Sequence, residues 1–224
     1  MRRPVTLALA LPLVLAPAIA GANGDPAGGP PTVFERFVLS ACSPCVRETH
    51  AIASLAIAPM ALPGFPRTAA GAAARPGEIA IDVQHAYQPG RPDWRSLALR
   101  VTLLVPSGVG GDLFRLGSGL LDGTDVRPLA QALGDMARVA AQPPAADSRA
   151  DSVDMDFHGG TVRIGVVRIR GDAVGYVQTG DLPVLLQRAV WEVPTTLYVP
   201  VNDLPALAAA LAQAAARIEQ LRAN

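Results

Sequence analysis

The sequence predicts an α+β protein in which antiparallel β-sheet is packed by two main helices, at about 125–141 and 203–222. Short segments that alternate apolar and polar residues, separated by Gly and Pro turns, are typical of strands. Two other segments repeat apolar residues every three or four positions, which is typical of amphipathic helices. Because a helix ends each set of strand-like segments, we expect two β-rich halves, each ending in a helix.

The first twenty residues have the layout of a secretory signal peptide. Arg2 and Arg3 precede an uncharged apolar stretch, Val5–Ala20, which ends in the small-x-small pattern Ala18-Ile19-Ala20. This stretch is shorter than the about 20 apolar residues that a membrane span needs. We therefore expect cleavage after residues 1–20, no transmembrane span in the mature chain, and a periplasmic or extracellular protein.

Composition excludes several classes of function. The chain has 19 basic and 19 acidic residues, and loss of Arg2 and Arg3 with the signal leaves 17 basic residues. This balance gives no basic surface for nucleic acid, so we expect an envelope protein or a small ligand as partner. The chain has no lysine, which excludes a P-loop and a Schiff base with pyridoxal phosphate. Abundant Arg, Ala, Gly and Pro indicate a GC-rich bacterial source.

The first half is expected to span residues 33–141, after a Gly/Pro-rich, disordered leader at 21–32. Segments 33–41 and 46–58 are predicted to form a β-hairpin with the cysteines at its turn, and a helix is the alternative for either segment. Three further strands and the first main helix complete this half; the strands are predicted at Glu78–Ala86, Ser96–Val105 and Leu113–Leu121.

A linker at 142–150 is predicted to separate the halves, because it is rich in Pro, Ala and Ser. The second half, residues 151–224, begins with a hairpin across Gly159-Gly160, a pair that favours two-residue turns. Its remaining elements are a strand at 173–179, a short helix at 182–189, a strand at 195–200 and the Ala-rich C-terminal helix.

A weak internal repeat relates the two halves. Residues 124–137 (TDVRPLAQALGDMA) align with residues 202–215 (NDLPALAAALAQAA), at an offset of 78 residues. Each copy follows strand-like segments and begins with a residue that caps helices. Two explanations are open: a duplication, or chance resemblance, since Ala- and Leu-rich helices resemble each other.

Cys42 and Cys45 are the two cysteines of the chain, in the sequence Cys42-Ser43-Pro44-Cys45. Because exported proteins meet an oxidising compartment, we expect a structural disulfide that pinches a turn. The alternative is thiol–disulfide exchange, since Cys-x-x-Cys pairs include reactive thiols. Thioredoxin-like proteins place such a pair where a strand meets a helix, and the flanking sequence does not indicate that unit.

A metal site is a third possibility for the cysteine pair. Cys42, Cys45 and His50 lie within nine residues and offer three ligands for zinc or copper, which usually requires a fourth. His85 and His158 are candidates for the fourth ligand. No other cofactor is expected.

We predict no catalytic residues. Asp82 with His85, and Asp156 with His158, are acid–base pairs by spacing, and Ser107 and Ser118 are possible nucleophiles, but none has the nucleophile-elbow pattern. Asp151, Asp154 and Asp156 alternate along a strand without the spacing of a calcium loop. The sequence therefore favours a non-catalytic envelope protein that binds or assembles; the alternative is a redox or metal-binding protein that acts through Cys42 and Cys45.

Overall fold

The computed structural model describes residues 32–58, 76–106, 112–143, 152–169, 171–180, 183–186, 189–192 and 195–223. The first half contains α1 (Val33–Arg36), a π-helical turn (Phe37–Ala41), β1 (Val46–Ile57), β2 (Gly77–Gln88), β3 (Arg91–Pro106), β4 (Leu113–Asp122) and α2 (Val126–Ala141). The second half contains β5 (Ser152–Gly159), β6 (Val162–Ile169), β7 (Asp172–Thr179), β8 (Pro183–Leu186), β9 (Ala189–Glu192), β10 (Thr195–Val199), a 3₁₀ turn (Val201–Asp203) and α3 (Leu204–Ala223). The predicted signal peptide, almost all of the leader and most of the linker lie outside these residues.

The strands form two four-stranded antiparallel sheets. Sheet one has the order β1-β2-β3-β4, and sheet two has the order β5-β6-β7-β10. Along the chain, β8 and β9 come between β7 and β10, and they form a separate two-stranded hairpin. A helix follows each sheet, so the predicted α+β fold with two β-rich halves, each ending in a helix, is confirmed.

Each helix packs on the sheet of the other half. Helix α3, from the second half, contacts β1, β2 and β3, whereas α2, from the first half, contacts β5, β6 and β7. The two helices also pack against each other, and one continuous apolar core runs through both sheets and both helices. Neither half therefore has a core of its own, because each sheet buries its apolar face under the helix of the other.

The buried residues of the two helices occupy equivalent positions. With the 78-residue offset of the repeat, each buried residue of α2 aligns with a buried residue of α3. The pairs are Val126 with Leu204, Leu129 with Leu207, Leu133 with Leu211, Met136 with Ala214, Ala137 with Ala215, and Ala140 with Ile218. The halves thus share order and burial as a duplication predicts, and common origin itself stays a prediction.

A β-bulge in β1 determines which side chains lie under α3. The register of β1 with β2 shifts between Ala51 and Ala53, so that one extra residue, Ile52, opposes no single partner. Before the bulge Glu48 and His50 share a face with the core residue Val83, and after it Leu55 and its neighbours do. We call this helix-covered face of sheet one its inner face, and the opposite face its outer face.

The prediction of a strand at 33–41 is wrong, because this segment is helical. Thr32 and Glu35 form a capping box: the Thr32 Oγ1 accepts from the Glu35 N–H at 3.1 Å, and the Glu35 carboxylate accepts from the Thr32 N–H at 2.8 Å. Asp122 accepts from the N–H groups of Val33 and Phe34. The Phe34 ring is buried on the outer face of sheet one. The hydrogen bonds to Asp122 and the burial of Phe34 therefore outweigh the loose alternation of the segment, which favours a strand.

The short helix predicted at 182–189 is also wrong. Residues 183–186 and 189–192 form the two strands of an antiparallel hairpin instead. Val184 and Val190 each pair across it, and β-branched residues favour strands over helices. The predicted strands at 78–86, 96–105, 113–121, 173–179 and 195–200 are confirmed, with β2 and β3 continuing to a turn at Pro89 and Gly90.

The two sheets meet where β4 passes the turn between β5 and β6. The Thr161 N–H donates to the Leu120 carbonyl at 3.0 Å, and Thr161 Oγ1 accepts from the Leu120 N–H at 2.8 Å. Gly160 has a φ of 55°, and a Cβ there would clash with the Leu120 carbonyl. Glycine is therefore required at this turn for both its backbone conformation and its close approach.

Candidate functional site

The predicted pairing of the cysteines is present as a disulfide between Cys42 and Cys45, whose Cα atoms are 5.0 Å apart. It joins the end of the π-helical turn to the start of β1, and both residues are partly exposed. Cys45 packs beside Phe34 and Ala86 on the outer face of sheet one. The bond thus pins the first helical segment to the first strand.

The structure does not bring His50 to the two sulfurs as one set of metal ligands. His50 lies on the inner face of sheet one, whereas Cys45 lies beside the outer face. Each sulfur is also bonded to the other, so neither is the thiolate that a metal requires. In the part of the chain that the structure describes, His50 instead shares a possible metal site with Glu48 and His85.

Four polar side chains meet at one end of the inner face, and we call them the Glu48 cluster: Glu48, His50, His85 and Tyr87. Antiparallel register explains the meeting, because Glu48 on β1 is directly opposite His85 on β2. One carboxylate oxygen of Glu48, Oε2, lies 3.4 Å from Nε2 of His50 and 3.4 Å from Nδ1 of His85. The other, Oε1, accepts a hydrogen bond from the Tyr87 hydroxyl at 3.0 Å.

The histidines of the cluster are partly buried, and its carboxylate is more exposed. The His85 side chain is 12% exposed and that of His50 is 23% exposed, whereas that of Glu48 is 42% exposed. The Nε2 atoms of both histidines are buried and have no hydrogen-bond partner, since the 3.4 Å approach of Glu48 to His50 lacks hydrogen-bond geometry. A buried polar atom without a partner is costly unless a ligand or water satisfies it.

The charge states of the cluster suit a cation. The hydrogen bond from Tyr87 is the main cause that lowers the pKa of Glu48, and His85 lowers it further. Burial lowers the pKa of His85, although its contact with Glu48 opposes this. At neutral pH Glu48 is therefore an anion and His85 is neutral, which are the forms that bind metals.

Two arginines join helix α3 to sheet one near the cluster, one from the helix and one from the sheet. Arg217 places its Nη2 atom 3.3 Å from Nδ1 of His50. Arg95, which extends from β3, donates to the Leu221 carbonyl at 3.1 Å and to the Arg222 carbonyl. The C-terminal end of α3 is thus held to sheet one through Arg95, while Arg217 reaches the cluster itself.

Two of the three distances between the ligand atoms fit a tetrahedral metal ion. Glu48, His50 and His85 each offer one atom, and these three atoms lie within 4.8 Å of one another. Two ligands bound at about 2.0–2.1 Å to a tetrahedral ion are roughly 3.4 Å apart. Both contacts of Glu48 with the histidines have that length, and the fourth position would be left to water.

The acid–base pairs considered from spacing do not assemble. Asp82 lies on the outer face, where it pairs with Arg100 at 2.9 Å, whereas His85 lies on the inner face. Ser118 is directly opposite Thr102 of β3, on the outer face, so it lies on the side away from His85. Ser107 lies outside the described residues.

The carboxylates of β5 are neutralised by protein groups. Arg163 pairs with Asp156 at 2.7 Å and with Asp154 at 3.3 Å. The Tyr176 hydroxyl donates to Asp154 at 3.0 Å, and the Arg163 guanidinium lies 5.7 Å from the centre of the Tyr176 ring. Asp151 lies outside the described residues, and the other two carboxylates are already paired.

Comparison with known proteins adds no family to this picture. No family model matches the sequence, and no curated protein matches it either. The helices that the structure describes include none that combines the length and the apolar character needed to cross a membrane. The candidate site therefore has to be argued from its own geometry.

The sequence identified His50 as a ligand and His85 as a possible partner, but it missed Glu48. The signal was present in part, because Glu48 and His50 are two residues apart and so lie on one face of a strand. The partner strand and its register were needed to place His85 directly opposite Glu48. Those depend on the β1–β2 pairing, which no local pattern specifies.

Proposed function

We propose that this chain is an exported, non-catalytic binding protein of the bacterial envelope whose ligand is a divalent transition-metal ion. The observation that carries the proposal is the group of three ligand atoms from Glu48, His50 and His85. Export is supported by the pattern of residues 1–20 and agrees with the Cys42–Cys45 disulfide, since disulfides persist in oxidising compartments.

The ligand chemistry favours zinc or copper over calcium and magnesium. Imidazole nitrogens prefer transition metals, whereas calcium and magnesium prefer sites made of oxygen atoms. A set of two histidines and one carboxylate also occurs in zinc sites that keep one position for water. The half-exposed Glu48 provides the route of entry, and the buried Nε2 atom of His50 would gain the partner that it lacks.

The test is a zinc titration of the mature full-length protein with a competing chromophoric chelator. We expect one zinc per chain, and at least about a 100-fold loss of affinity in His85→Ala and in His50→Ala, because each variant removes a direct ligand. His158→Ala is the matched control, since it removes the third histidine of the chain, which lies on sheet two.

Three results would overturn parts of this proposal. Zinc binding that is equally weak in wild type and in both ligand variants would exclude the site. An equal loss in His158→Ala would indicate binding elsewhere. Hydrolysis of an activated ester by the zinc-loaded protein, abolished in His85→Ala, would replace a non-catalytic role with a hydrolytic one. Export is tested separately by the mass of the protein in a periplasmic extract, where loss of the first twenty residues is expected.

A second candidate function is thiol–disulfide exchange through Cys42 and Cys45. Its supporting observation is that both cysteines are partly exposed and only three positions apart, so the bond closes a very short loop. Equilibration with a glutathione series would decide it. A reduction potential below about −300 mV indicates a structural bond, whereas a higher potential with activity lost in Cys42→Ser indicates exchange.

A further inference from the structure

Arg217 occupies the one ring nitrogen of His50 that faces helix α3. Its Nη2 atom is 3.3 Å from Nδ1 of His50. A guanidinium can only donate hydrogen bonds, so Nδ1 must accept, and the neutral ring then carries its proton on Nε2. The His50 tautomer is therefore set by a residue of the other half of the chain.

This tautomer is incompatible with metal coordination by His50. Coordination through Nε2 requires the proton to move to Nδ1, where it would face the N–H of Arg217, and two donors cannot pair. Coordination through Nδ1 requires the position that Arg217 already holds. By either route Arg217 must leave, and its positive charge also opposes a cation.

Arg217 has a second partner besides His50. Its Nη1 atom lies 3.3 Å from the side-chain oxygen of Gln220, less than one turn further along α3. The end of the helix is held independently by Arg95, which donates to the carbonyl of Leu221 at 3.1 Å. Arg217 can therefore release His50 and keep its hydrogen bond to Gln220 while α3 stays on sheet one.

We propose that Arg217 is a gate that competes with the metal ion for His50. The proposal rests on the metal function proposed above and adds its regulation. Metal binding breaks the hydrogen bond between Arg217 and His50. That hydrogen bond in turn lowers the affinity for metal, because coupling between two binding events is reciprocal. Occupancy of the cluster is thereby communicated to the helix that the second half contributes.

The experiment measures zinc affinity in wild type, Arg217→Gln and Arg222→Gln by the chelator competition described above. Arg217→Gln is expected to bind zinc about 10-fold more tightly, within the usual range of such couplings. Arg222→Gln is the matched control: it removes a positive charge from the same helix, but its side chain pairs with Glu219 within α3. Its affinity is expected to equal that of wild type.

The outcomes separate the two proposals. Tighter binding confined to Arg217→Gln supports the gate, and so does binding that is measurable only in that variant. Zinc binding by wild type that is unchanged or weaker in Arg217→Gln overturns the gate and leaves the metal site standing. An equal gain in Arg222→Gln reduces the effect to net charge and also overturns the gate. Binding in none of the three proteins overturns the metal site, and the gate with it.

A second measurement needs no variant. Long-range ¹⁵N–¹H spectra of the metal-free wild type, which has three histidines, report the tautomer of each ring. We expect the proton of His50 on Nε2, and its transfer or loss when zinc is added. A metal-free His50 with its proton on Nδ1 would overturn the gate even if Arg217→Gln failed to fold.

Discussion

Sheet one carries its polar cluster on the face that α3 covers, whereas sheet two carries Asp154, Asp156 and Arg163 on the face away from α2. In sheet two, Asp156 and Asp154 both pair with Arg163, at 2.7 Å and 3.3 Å. In sheet one, Glu48 faces two histidines whose Nε2 atoms lack hydrogen-bond partners. The comparison shows that similar groups on similar sheets differ in their capacity for a ligand, because one set is satisfied by protein atoms and the other is not.

The helices of the two halves, by contrast, are used in the same way. Each leaves its own sheet and covers the other, and each has its C-terminal carbonyls bound by an arginine of the sheet that it covers: Arg95 for α3 and Arg168 for α2. The packing of the helices, which the two halves share, contributes to stability. The halves differ in their polar clusters. Equivalent substitutions in the two helices should therefore destabilise both halves equally.

The largest effect is expected from truncating equivalent leucines in the two helices. Leu129 and Leu207 are both buried, and Leu129→Ala or Leu207→Ala should each lower the free energy of unfolding by about 2–5 kcal/mol through loss of apolar contact and a cavity. Urea unfolding should remain a single transition for both, since neither half has its own core. Leu39→Ala is the control, because Leu39 is 82% exposed.

Hydrogen exchange sharpens the leucine test. In Leu207→Ala, amides of β2 should lose protection although they belong to the first half, because α3 covers sheet one. Loss of protection confined to the second half, or two separate unfolding transitions, would contradict the exchange of helices.

A smaller effect is expected at the arginines that bind the helix ends. Arg168 donates to the carbonyls of Val139, Ala140 and Gln142 at 2.8–3.2 Å, and Arg95 donates to two carbonyls of α3. Arg168→Gln and Arg95→Gln should each lower the free energy of unfolding by about 1–2 kcal/mol. The wild-type hydrogen bonds are made by a charged guanidinium, and its positive charge interacts favourably with the negative, C-terminal end of the helix dipole. Thermal unfolding measures both.

The control for the arginine variants is Arg138→Gln, on the surface of α2. Arg138 pairs with Asp135 within the helix, and both side chains are mostly exposed. Exposed pairs of this kind contribute about 0.3–0.5 kcal/mol, so this variant should stay close to wild type. Equal losses in all three variants would show that net charge, rather than binding of the helix ends, sets the stability.

Much of this fold could be predicted from local patterns, because strands and long helices have distinct periods. The spacing of apolar residues around Leu129 and Leu207 predicted the ends of both main helices to within a few residues. The exchange of helices could not be predicted, since α2 and α3 bury residues at equivalent positions and this pattern does not specify which sheet each helix covers. The helix at Val33–Arg36 was missed because it is a single turn, stabilised by the capping box of Thr32 and Glu35 rather than by periodicity.

The candidate site was predicted only in part, for a physical reason. Glu48 and His50 share a face because strand side chains alternate, and this follows from the sequence. Their partners His85 and Arg217 arrive through strand register and through packing of a helix far along the chain. Contacts between distant segments depend on the whole fold, so no spacing in the sequence specifies them.

The smallest expected effect concerns the pH dependence that Tyr176 gives to sheet two. Burial is the main cause that raises the pKa of Tyr176 well above its ordinary value, and the anionic Asp154 adds to it. An unfolded tyrosine loses its proton near pH 10, whereas the folded one keeps it, so the unfolded state binds fewer protons above that pH. Stability should therefore fall as the pH rises through about 10, and the loss should be smaller in Tyr176→Phe.

Unfolding in urea at pH 9 and at pH 10.5 measures this dependence. Tyr176→Phe also removes the hydrogen bond to Asp154, which should cost about 1 kcal/mol at both pH values, so the slope with pH is the informative quantity. Tyr198→Phe, which lies opposite Tyr176 on the neighbouring strand β10, is the control. If both variants kept the wild-type dependence of stability on pH, the Tyr176 hydroxyl would be ionising in the folded protein. The face of sheet two away from α2 would then be more open to water than its paired carboxylates imply.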